Sequence, residues 1–351
     1  MNHAEGSLAL KGLSPAYFGL VMATGIVSIA ALDFHLPAVA VALFVVNGVA
    51  YVVLVALNVL RAARHWPEFA ADVTDHRRGV GFFTLVAASC IIGVQLRLIA
   101  NNVPAATAFL MIGLVLWFVV TYTIFTAFTI KREKPVLQNG ITGSWLLAVV
   151  ATQSVAVLGA LIAREWPQPY RVELNFSVLS MWLWGGMLYI WIISLIFYRY
   201  IFFQVMASDL TPPSWITMGA MAISTLAGSL LVQNTPDAPF LASLLPFLKG
   251  FMVFYWATGM WWIPMLLTFF VWRYVIKRFP LRYDPLYWAA VFPLGMYSVA
   301  TRHMASALGL PFLGAFLPGI MFAAALLAWT IAFAGLLLEL RKLVTSTARS
   351  I

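Results

Sequence analysis

Ten apolar stretches follow one another along this chain, at about 15–32, 38–60, 80–100, 104–130, 141–163, 175–203, 213–233, 247–273, 285–308 and 313–340. A helix needs roughly 20 apolar residues to cross the hydrocarbon of a bilayer, and each run supplies them. In lipid every backbone amide must be bonded within its own segment or in a closed barrel. Barrel strands are short and alternate in polarity, which these runs do not. The reading is an all-α integral membrane protein, a single transmembrane domain over residues 1–351. Composition agrees: 63% of the residues are hydrophobic and 9% are charged, whereas a soluble globular chain carries about one quarter charged. No signal-peptide pattern precedes the first run, so it is read as a retained span.

Charge sets the expected orientation. Most of the 21 Lys and Arg residues fall in alternate loops, in clusters such as Arg61, Arg64, Arg77 and Arg78, then Lys131, Arg132 and Lys134, then Arg273, Lys277 and Arg278. Cytoplasmic loops carry this excess, so both termini are expected in the cytoplasm. The formal net charge of +9 then reports membrane insertion. With no basic–aromatic motif, it does not point to nucleic acid.

The 12 Asp and Glu residues all lie outside the apolar runs or at their edges. Arg97, Arg164 and Arg302 behave differently, closing the far ends of the third, fifth and ninth runs. An interior without carboxylates, beside a mouth with cations, favours a small anionic solute; cation-coupled carriers usually show a buried carboxylate. The same three arginines have a plainer reading, since cations at helix C-termini offset the dipole and snorkel to headgroups. No G-x-S-x-G elbow, Walker A sequence or paired aspartates occur, and His303 is the one histidine near a span. Neither enzyme activity nor a cofactor or metal site is read from the chain. Cys90 reads as a small buried hydrophobe.

Short connections at 33–37 and 101–104 pair the runs as hairpins. The odd runs share a small residue followed by a hydroxyl: Ala23-Thr24, Ala88-Ser89, Ala151-Thr152, Ser224-Thr225 and Ala300-Thr301. The even runs are crowded with aromatics. Small and hydroxylated residues suit close packing or a pore wall, and aromatics suit the lipid boundary. The expectation is five hairpins in quasi-fivefold arrangement around a central pore, with odd helices inside. Its wall would carry Thr24, Ser28, Ser89, Thr152, Gln153, Ser224, Thr225, Ser298 and Thr301, although back-bonding to the previous turn explains any single one of them. In the ninth run Pro293 predicts a helix kink. Phe292 beside it reads either as an apolar plug in the path or as a core side chain next to that kink.

Three segments carry a family resemblance: SPAYFGLVMATGIVSIA at 14–30, GSWLLAVVATQSVA at 143–156 and FPLGMYSVAT at 292–301. They resemble the tellurite-resistance/dicarboxylate transporter family, which includes bacterial tellurite-resistance proteins, yeast malate permease, sulfite efflux pumps and plant slow anion channels. The resemblance implies ten helices as five hairpins, a pore between the odd helices of each subunit, a homotrimer, and a gate at Phe292. It also implies a multi-pass protein of the bacterial inner membrane that moves C4-dicarboxylates or small inorganic anions, with oxyanion export or a sealed scaffold as alternatives. Ala148 stands where the family pattern leads one to expect proline.

Overall fold

A computed structural model of the chain describes residues 10–280 and 283–349. Among these residues there is no strand, and long helices follow the ten apolar runs. They are α1 Pro15–Asp33, α2 Pro37–Arg64, α3 Gly79–Leu98, α4 Val103–Ile130, α5 Gly143–Ala163, α6 Tyr170–Phe202, α7 Pro212–Asn234 and α8 Leu245–Ile276, then α9 Trp288–Leu308 and α10 Leu317–Arg349. Nine of the described helices are long and apolar enough to cross a membrane. The exception is α9, 21 residues that include Pro293, Ser298, Thr301, Arg302 and His303. Its lower apolarity is tolerated because it faces protein.

The odd helices form a closed ring. Helix α1 packs on α3, α3 on α5, α5 on α7, α7 on α9, and α9 returns to α1. Each is backed by the helix that follows it, so the five hairpins stand with odd helices inside and even helices outside. Burial follows this division: the spans of α1, α3, α5 and α7 are 89–94% buried, and those of the outer helices only 17–44%. Small residues in the inner helices let backbones approach closely, the usual basis of helix association in lipid. Val52, Phe118, Trp191 and Ile331 on the outer helices are more than half exposed, an apolar surface suited to acyl chains.

Every inner helix opens with a tight turn at the same face of the molecule. The turns are Pro15–Phe18, Gly79–Phe82, Gly143–Leu146, Pro212–Trp215 and Pro285–Tyr287, and each touches the next to close a smaller ring. Proline suits the first helical position because its missing N–H has no partner there. Ser14 and Asp284 cap two of the turns, accepting from the amides of Ala16 at 3.3 Å and Leu286 at 2.8 Å. All five inner helices therefore point the same way. This mouth is called the N-terminal face below.

Candidate functional site

Residues three and four apart share one face of a helix. On α9 this spacing runs Ala289, Phe292, Met296, Val299 and His303, and all five line cavities on the ring axis. Two cavities lie along that axis, each walled by all five inner helices. The one nearer the N-terminal face, ≈ 20 Å³, is bounded by Met22, Thr84, Leu147, Ile216 and Phe292. The other, ≈ 60 Å³, is bounded by Ile26, Ile91, Val157, Leu226 and Met296 and ends at Leu98 and His303. Neither wall contains Asp, Glu, Lys or Arg.

At the inner end of the first cavity, the same spacing on α3, α5 and α7 brings Ala87, Val150 and Gly219 to the level of Phe292. Ala87 and Gly219 are small, and the phenyl group shares that height with Val150 and, on α1, with Met22. Phe292 is 3% exposed. A Cβ on Gly219 would stand 2.7 Å from Pro293 Cγ, so α7 and α9 approach closely beside the phenylalanine. Helix α9 remains helical through Pro293, whose ring withholds the hydrogen bond that the Ala289 carbonyl would otherwise accept.

The expected hydroxyl wall is corrected by this geometry. Thr24, Ser28, Ser89, Thr152, Gln153, Ser224, Thr225, Ser298 and Thr301 are all fully buried, and none lines either cavity. Their bonds run sideways or along the helix. Trp329 Nε1 donates to Thr24 at 2.9 Å, Trp117 Nε1 to Thr152 at 2.8 Å and Trp256 Nε1 to Thr301 at 3.0 Å. Tyr51 and Ser89 share a hydrogen bond of 2.9 Å, and Trp182 Nε1 donates to the Ser224 carbonyl at 2.8 Å. In every case an aromatic on an outer helix ties to the inner helix of the next hairpin, α10 to α1 closing the cycle. Ser28 donates to the Ala40 carbonyl, Ser298 to that of Pro318, and Gln153 to that of Trp182. Ser224 and Thr225 back-bond to Ala220 and Met221.

The physical reason is angular. Two residues along a helix is about 200° of rotation, so Thr24, Ser89 and Thr152 lie opposite the axis-facing Ile26, Ile91 and Ser154. The shared small-plus-hydroxyl pattern is a clamp between hairpins. Even helices are correspondingly not aromatic on the lipid side alone, since Trp117, Trp182 and Tyr255 are buried. Thr152→Val leaves the Trp117 indole unpaired and is expected to cost about 1 kcal/mol, read as a lower melting temperature in detergent. Solute selectivity should be unchanged; a shift in selectivity would return Thr152 to the path.

At the opposite mouth the cations are not an uncompensated ring. Arg97 donates to Glu165 at 3.0 Å and to Asn101 at 2.9 Å. Arg164 donates to Asn234 at 2.6 Å and Gln233 at 3.0 Å. Arg302 stacks over Phe34 with its guanidinium 5.2 Å from the ring centre, and neighbouring His303 stands 3.8 Å from Asp33. Asp33 and Glu165 sit at the ends of inner helices, so this mouth carries both signs. The tight turns at the other face were not anticipated either. Their signal was Pro or Gly followed three residues later by Phe18, Phe82, Leu146, Trp215 or Trp288.

Comparison with known proteins places this geometry. An uncharacterized membrane protein of Mycobacterium tuberculosis is 38% identical over 166 residues, 46% of this chain and 82% of that protein. An uncharacterized transporter of Methanocaldococcus jannaschii is 27% identical over 304 residues, 84% of each chain. The sulfite efflux pump SSU1 of Trichophyton rubrum is 23% identical over 332 residues, 87% of this chain and 85% of the pump. Residues 12–337 match the family described as SLAC1, voltage-dependent anion channel. With a match over nearly its whole length and a ring of five helix hairpins to go with it, the chain belongs to the SLAC1 family of multi-pass membrane anion channels and transporters.

Proposed function

We propose that the protein conducts small anions along the axis between its inner helices and that Phe292 closes this path. One observation carries the reading: two cavities share the axis, each walled by all five inner helices, and Phe292 lines the inner end of the first, one turn before Met296 in the second. Selectivity for anions is supported by walls free of carboxylates. It is supported too by the five inner helix N-termini converging on one mouth, each the positive end of a helix dipole. A wall of Ile, Val, Leu and Met cannot replace a hydration shell. Small singly charged anions, or a sulfite-like oxyanion as in the SSU1 pumps, therefore suit it better than malate-sized C4-dicarboxylates.

In this reading both termini face the cytoplasm of a bacterial cell, following the loop cations, and protomers with one path each assemble as a homotrimer. Flux of sulfite, chloride, nitrate and malate into liposomes holding the purified protein tests the assignment. Movement of small anions ahead of malate supports it. A second reading, a scaffold with a permanently sealed axis, is favoured by the burial of Phe292 and the apolar walls. It predicts no flux of any anion even after that side chain is removed.

The mouth cations give a further expected result. Glu165 already offsets Arg97, whereas Arg302 lies against a ring. Arg302→Gln should slow anion entry at low ionic strength and much less near 1 M salt, where screening acts within about 3 Å. Arg97→Gln uncovers the Glu165 carboxylate at the same mouth and should slow entry at low ionic strength as well. Equal, salt-independent losses in both variants would assign these arginines to packing.

A further inference from the structure

Among the described residues, three buried arginines close outer helices on the N-terminal face: Arg61 on α2, Arg199 on α6 and Arg273 on α8, exposed by 1%, 4% and 7%. Each donates to a backbone carbonyl of the segment leading into its own hairpin's inner helix, namely Lys11, Gln138 and Leu210. A buried guanidinium also needs a counter-charge. For Arg61 it is Asp72, 2.7 Å away, and for Arg199 it is Asp209, 3.4 Å away. For Arg273 no carboxylate lies within ion-pair distance among the described residues. Its Nε is buried without a hydrogen-bond partner, and the guanidinium rests on the rings of Tyr274 and Phe279 at 5.1 and 4.3 Å.

Arg273 also lines a groove of ≈ 660 Å³ between α8, α9 and α10. The long walls are apolar, with Phe270, Leu294, Leu327 and Ile331 among them, and Lys342 stands with Arg273 at the polar end. Lys342 is paired with Glu339 at 2.7 Å, so the unbalanced charge belongs to Arg273. Phe270, Leu327 and Ile331 are 46%, 64% and 63% exposed, which leaves the groove open sideways to the bilayer. From Ala324 to Lys342 it follows α10 for about 27 Å, enough for one leaflet with its headgroups, roughly 20–22 Å.

We propose that this groove binds one anionic phospholipid, whose headgroup phosphate gives Arg273 the negative charge that Asp72 and Asp209 give to its two counterparts, while an acyl chain lies along α10. A free phosphate would meet mostly hydrocarbon walls. A lipid matches both the missing charge and the apolar length, and charge-assisted bonds from arginine to phosphate are the strong kind. The inference does not depend on which solute passes along the axis.

The test is native mass spectrometry of the full chain released from nanodiscs holding equal phosphatidylglycerol and phosphatidylcholine. One phosphatidylglycerol should be retained per protomer, preferred over phosphatidylcholine by about tenfold or more, because the choline ammonium cancels the net negative charge that the phosphate would otherwise bring to the buried guanidinium. Arg273→Gln should abolish the preference. Because that variant removes the bond to Leu210 and could misfold, Ala328→Trp serves beside it: it fills the apolar wall, spares Arg273, and should abolish retention of phosphatidylglycerol. Equal retention of the two lipids would overturn the proposal. So would displacement of the lipid by millimolar inorganic phosphate, or efficient crosslinking of Leu327→Cys to a second copy of the chain in the bilayer.

Discussion

Phe292→Ala opens the axis: anion flux through the reconstituted protein rises by about tenfold or more, the equivalent of taking roughly 1.4 kcal/mol from the barrier. The side chain borders the cavity on the N-terminal side, while Met296, one turn on, borders the other. The residues brought level with it by helical spacing are Met22, Ala87, Val150 and Gly219, so truncation removes the one aromatic ring at that height. An apolar constriction also holds back ions by excluding water, and shortening the phenyl group lowers that barrier together with the steric one. Phe292→Leu should give an intermediate flux, since it retains part of the bulk. Circular dichroism and gel filtration separate an open path from a damaged fold. Wild-type flux from a well-folded Phe292→Ala protein would remove this residue from the gate.

Gly143→Ala is expected to be the most damaging small substitution on the N-terminal face. Gly143 begins α5 in the ring of tight turns. A Cβ there would clash with the Pro213 carbonyl oxygen and stand 2.8 Å from its carbon and 2.9 Å from Ser214 Cα. All three atoms are backbone, so no side chain can rotate away, and α5 and α7 must separate. Overpacking commonly costs 1–3 kcal/mol and sometimes more, and this site should fall at about 3 kcal/mol or above. Gly19→Ala is the control, because its Cβ would meet Trp288 Cβ at an ordinary 3.6 Å. A thermal-shift series should show a large loss for Gly143→Ala and little for Gly19→Ala. Similar melting temperatures would mean that the turns are not the rigid collar described here.

The ring of hairpins was legible because hydrocarbon imposes it. Ten apolar runs, short connections and the contrast between small-residue and aromatic helices suffice to put the odd helices inside. The azimuth of each inner helix was not legible. In helix α1 every residue from Gly19 to Ala31 is buried, so no polar face marks which side meets the axis. Thr24 and Ile26 look equally interior in the sequence, and only the reach of Trp329 shows that the hydroxyl points outward. The mouth was misread for a related reason. Arg97 finds its carboxylate 68 residues away on Glu165, a partner brought near by ring closure and invisible to local pattern. The gate proposed at Phe292 rests on its proline neighbour and the resemblance, whereas Met22, Ala87, Val150 and Gly219 came level with it only once the helices were in register.

The central claim is that the axis between the five inner helices is a path for anions. Reversal potential across a planar bilayer with a salt gradient tests it most directly, using Phe292→Ala to ensure measurable current. The account predicts a potential close to the equilibrium value for the anion, unchanged when the cation is replaced. A potential that follows the cation, or no current above that of bare lipid from protein shown to be inserted and folded, would contradict it.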